Sequence, residues 1–162
     1  MDSSTLIIGL VMVALCTLPF ILSGNSRAKN EQKIKNAFFE LAAKNNTSIL
    51  QNDFWYKSAI GINTTSNELF FYRKIKDTET SEIIQLSDYQ KCKVTKLNDS
   101  SNHIELLQLV LTSSSSNKSE IVLEFYNAEL NPQLNKEVQL IEKWSKLIND
   151  TIHSSIKIKK AV

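Results

Sequence analysis

The chain reads as a mainly β protein of the α+β class, an antiparallel sheet or barrel between an apolar N-terminal helix and a C-terminal amphipathic helix. Three observations carry this. Residues 5–22 contain no charge. From residue 54 onward, short runs of β-branched and aromatic residues alternate with clusters of Asn, Ser, Thr and Asp. Beyond Pro132, apolar residues return at helical spacing as far as Ile152. Composition narrows function at the same time. With 19 Lys and Arg against 17 Asp and Glu, the net charge of +2 does not mark a nucleic-acid binder. Three glycines leave no phosphate-cradling loop, and two histidines with two cysteines match no recognised zinc or triad spacing. No enzyme activity, cofactor or metal is therefore expected.

As a helix, residues 5–22 span about 27 Å, close to a hydrocarbon core of roughly 30 Å. Asp2 is the one charged side chain before them, so the positive leader of a cleaved signal peptide is missing. A lipoprotein reading through Cys16 places Leu15 where a small residue belongs. The expectation is an uncleaved transmembrane anchor over 4–23 in contact with the lipid bilayer. Arg27, Lys29, Lys33 and Lys35 follow it and none precede it, which predicts an outside N-terminus and a cytoplasmic C-terminal domain at the inner cell membrane. Against this stand six N-x-S/T triplets, at Asn45, Asn46, Asn63, Asn98, Asn117 and Asn149. Crowding of Asn, Ser and Thr into turns explains them equally well.

The segment 24–48 reads as an amphipathic connector helix whose stripe is Ile34, Ala37, Phe38, Leu41 and Ala42. Its basic face, Arg27, Lys29, Lys33 and Lys35, is a candidate membrane surface, although acids are interspersed and docking on the following domain is favoured. Asn45-Asn46-Thr47-Ser48 closes it.

Six strands are then predicted: Trp55–Ile62, Glu68–Ile75, Glu82–Leu86, Lys91–Leu97, His103–Thr112 and Ser119–Tyr126. The short polar connections between them require consecutive antiparallel pairing. Cys92 and Val94 share one face against Lys91 and Lys93, and the strand from His103 is apolar on both faces, as a central strand is. A C-terminal helix follows, capped by Asn131 with Pro132 at its first turn. Its wide apolar stripe includes Ile141, Trp144, Ile148 and Ile152, and 154–162 is expected to be a basic tail.

The stretches IIQLSDYQKCKV and IVLEFYNAELNPQ, the second leading into a helix with a buried Trp, resemble the corresponding parts of bacterial membrane-anchored pleckstrin-homology-like proteins. The resemblance covers roughly 54–153 and implies a PH-like domain over 49–153. The family has seven strands where six are read here, and a bend of the first strand at Gly61 would supply the seventh. It also implies a binding module without catalysis. Headgroup-binding members carry Lys and Arg around the first hairpin loop. Here that loop, Asn63–Asn67, has no positive charge, and Lys57, Arg73, Lys74 and Lys76 are the nearest candidates.

The remaining chemistry is sparse. His103 and His153 read as surface residues, Cys92 as a core residue, Asp77, Glu79, Glu82 and Asp88 as solvated acids, and Ser113–Ser116 as a hairpin tip. Six aromatics, Phe54, Trp55, Tyr56, Phe70, Phe71 and Tyr72, exceed what alternation buries. The surplus predicts a protein-partner patch at Phe54, Trp55, Phe71, Tyr72 and Arg73. Alternatively, the same aromatics pack under Phe38 and Phe39. The expectation is an interaction module or accessory subunit of a membrane complex, with a peripheral lipid-binding domain as the alternative.

Overall fold

The computed structural model describes residues 29, 31–113 and 118–161, with 157–161 as backbone alone. Among these residues, seven strands form two antiparallel sheets. The first holds β1 (Gln51–Trp55), β2 (Ser58–Asn63), β3 (Glu68–Ile75) and β4 (Thr78–Gln85) in sequential order. The second holds β5 (Tyr89–Asn98), β6 (Ile104–Ser113) and β7 (Ile121–Asn127), again in order. A 3-10 turn at Leu86–Asp88 carries the chain between them. Helix α1 covers 31–43, and α2 runs from Glu137 to Ala161.

Two expectations are corrected here. The sheet is not one closed barrel: no ladder joins β4 to β5, because the buried Leu86 redirects the chain into a second sheet. The single-pass membrane architecture also does not stand. Among the described residues no helix is long and apolar enough to cross a membrane. The expected anchor over 4–23 lies outside the described residues. The inner-membrane placement with a cytoplasmic domain, deduced from that anchor, falls with the architecture.

Individual elements also shift. The single strand read over Trp55–Ile62 is a hairpin, broken after Trp55 by the two-residue turn Tyr56-Lys57. Tyr56 adopts φ 40°, a backbone state uncommon for a bulky residue, so nothing in the local residue types announces the turn. Gly61 does not bend the chain. It lies mid-strand, where a Cβ would stand 2.7 Å from Ile49 Cγ2 and 2.8 Å from Phe38 Cζ. Helix α2 begins at Glu137 instead of Pro132. Asn131 closes a local turn instead, its Oδ1 accepting from the Gln133 N–H at 3.3 Å. At the other end the helix continues through the expected tail to Ala161, which places His153 within it.

The core lies between the inner faces of the two sheets and one side of α2. Ile60, Ile62, Leu69 and Phe71 come from the first sheet, and Leu107, Leu109, Leu111, Leu123 and Phe125 from the second. Trp144, fully buried, is the largest side chain of the α2 stripe. The opposite face of the first sheet is covered too. Phe38 and Ala42 are buried there, and Phe38 meets Phe54 edge-on at 5.5 Å. Asn46, at φ 54°, ends α1 in a Schellman arrangement, with Thr47 N–H bonding the Ala42 carbonyl at 3.2 Å.

Candidate functional site

The predicted aromatic patch is distributed through the interior. Trp55 and Phe71 belong to the core, Trp55 stacking on Phe125 at 4.4 Å and donating its indole N–H to the Phe125 carbonyl at 2.8 Å. Tyr72 is buried on the other face of β3, and Phe54 packs beneath Phe38 and Phe39. Only Phe54 packs as the alternative expected, Trp55 and Phe71 being buried in the core between the sheets; none of these four aromatics is exposed, whereas Tyr56 is. Of the predicted patch, Phe71 and Arg73 meet at an open site. Among the candidate membrane-surface residues, Lys29 is exposed, Lys33 and Lys35 are exposed on α1, and Arg27 lies outside the described residues.

That open site is a groove of about 450 Å³ between the β3–β4 hairpin and β7. The register places Phe71 opposite Glu82, Arg73 opposite Thr80 and Ile75 opposite Thr78, so these pairs share one face of the sheet. Val122 and Glu124 line the other wall, with Leu130 beside them. The floor is mostly apolar, and Val122 is 49% exposed. Arg73 bridges the walls, with Nη2 at 2.6 Å from Glu124 Oε1 and Nη1 donating to the Glu124 carbonyl at 2.7 Å. Alternation along β7 puts Val122 and Glu124 on one face, but no local signal joins them to Arg73 across 51 residues.

Backbone chemistry differs from edge to edge. On β7, Arg73 and Trp55 occupy the carbonyls of Glu124 and Phe125. On β5, the Asn149 side chain accepts from Cys92 N–H at 2.9 Å and donates to the Cys92 carbonyl at 2.8 Å, standing in for a neighbouring strand. Among the described residues, strand β4 has no such cover. The bond from Leu86 N–H to the Asn67 carbonyl sets the ladder phase, so Thr80, Glu82 and Ile84 bond back to β3. Glu79, Ser81 and Ile83 then direct their backbone groups to the open edge beside the groove.

Cys92, Tyr72 and several acids are engaged elsewhere in the fold. Burial pushes the Cys92 thiol up to about 12, so it stays a neutral core group. Burial, with the Glu79 carboxylate adjacent, also raises Tyr72 to about 12. His103 is exposed, 3.8 Å from Asp99, and His153 is exposed on α2. Asp88 pairs with Lys118, and Glu79 with Lys74 at 3.3 Å. Among the described residues no group of three or more His, Cys, Asp or Glu is placed to hold a metal ion. Of the N-x-S/T asparagines, Asn63 is buried, its amide donating to the Ser48 carbonyl and accepting from Thr65 and Ser66. No protein-family model, curated protein or solved structure matches the chain.

Proposed function

We propose that the domain is a non-catalytic protein-interaction module that takes an extended segment of a partner protein as an added strand on β4. The observation that carries this reading is a strand edge that no described residue covers, running beside a groove of about 450 Å³ with an apolar floor. Main-chain bonds to Glu79, Ser81 and Ile83 supply sequence-independent attachment, and alternate side chains of the guest enter the groove, the division of labour used in strand addition. The pleckstrin-homology-like resemblance, itself a proposal, agrees with a binding role.

Amide exchange on the full chain, with peptides selected from an extended-peptide library, tests the reading. Bound peptide should slow exchange at Ser81 and Ile83 while leaving β7 unchanged. Ser81→Pro removes an outward N–H without touching the β3 ladder, and should abolish binding. Unaltered exchange along β4 with bound peptide, or full binding by Ser81→Pro, would sink it.

A further inference from the structure

The groove carries two charges that the fold leaves unmatched. Lys76 lies at the β3–β4 hairpin tip and Glu82 further along β4, both lining the groove. Neither forms an ion pair or a side-chain hydrogen bond among the described residues, whereas Arg73 and Glu124 neutralise one another between them. Thr78 and Thr80 separate the two ends, facing the apolar wall of Val122 and Leu130. A guest strand therefore meets a cation at one end, apolar surface in the middle and an anion at the other.

Resting on the strand-addition reading, we propose that the site selects its guest by the order of its charges. β4 already bonds β3 in the antiparallel sense, and the antiparallel ladder is the more stable one per residue. An antiparallel guest passes Glu82 first, then Thr80, then Thr78 and Lys76. Because Glu79, Ser81 and Ile83 make the bonds, the guest residues opposite Glu82, Thr80 and Thr78 are the ones that face the groove. The preferred partner segment, written from its N-terminus, is basic, any, aliphatic, any, acidic. A second copy of this chain is the poorer occupant. Pairing two β4 edges about Ser81 sets Glu82 of each copy diagonal to Glu82 of the other on the groove face, where like charges oppose association.

The test uses fluorescence anisotropy of labelled peptides with the full chain. One peptide carries the basic-to-acidic order, and a second has the two charged positions exchanged. The first should bind about tenfold more tightly at low salt, with the difference shrinking as salt is added. Combining Lys76→Glu with Glu82→Lys should invert the preference, and the peptide exchange alone keeps the test valid if that double variant fails to fold. Equal affinities, both abolished by Ser81→Pro, would overturn charge selection and leave strand addition standing. Binding indifferent to Ser81→Pro, no binding by either peptide, or a β4-mediated homodimer that excludes both would overturn the two together.

Discussion

Gly61 sits in β2 where the side chains of Ile49 and Phe38 leave no room for a methyl group, and the Gln51 carbonyl lies 3.2 Å from the position a Cβ would take. Gly61→Ala should therefore destabilise the domain by about 1–3 kcal/mol through overpacking, read as a lower urea midpoint. Asp53 is a second single point of dependence. Its Oδ2 accepts from the buried Trp144 indole at 2.9 Å and from Lys143 at 2.6 Å. Asp53→Ala strands the indole N–H and should cost about 1–3 kcal/mol in the same assay. Titration supplies a third test. Cys92 rises from 9.0 to about 12 and Tyr72 from 10.0 to about 12 on folding. Between those values the unfolded chain has released protons that the folded chain keeps, so stability falls as pH rises. The loss should begin near 9.0, steepen above 10.0 and flatten near 12, with Cys92→Ala removing its first part.

Among the elements, β5 depends on a helix to finish its edge. Asn149 reaches from α2 to both backbone groups of Cys92 and also donates to the Ser145 carbonyl at 2.8 Å. Asn149→Ala should lower stability by about 1–3 kcal/mol and speed exchange of the Cys92 amide, whereas surface Asn98→Ala should do neither. Local pattern made several elements legible. The Cys92 and Val94 face of β5 points inward, and β6 is the central strand that its two apolar faces imply. The β1–β2 hairpin escaped because its turn residues, Tyr56 and Lys57, carry no turn signal. The Tyr56 phenol is tied to the Leu130 carbonyl at 3.1 Å, a contact 74 positions away. The start of α2 escaped because the Glu137 carboxylate, buried and accepting from Asn135 N–H at 2.7 Å, competes with the Asn131-Pro132 cap.

At the scale of the molecule, Arg73 links β3 of the first sheet to β7 of the second. Arg73→Ala loses both bonds and leaves Glu124 unmatched at the groove, and should be more damaging than Glu124→Gln, which keeps the carbonyl bond. About 2 kcal/mol against about 1 is expected from thermal melts of the two variants. Hydropathy and spacing determined what is local here: the antiparallel β character, the inward face of β5, the central place of β6, the α2 stripe and the core position of Cys92. Periodicity reports which side of an element is apolar, and that much is written residue by residue. What covers each apolar side is a long-range matter. The same aromatics suited an exposed patch or a packed layer, and only the placement of Phe38 over β2 and of Phe125 against Trp55 decided for packing. The groove was equally out of reach, since its walls come from strands about fifty positions apart and its open edge exists only because β4 ends one sheet while β5 begins another.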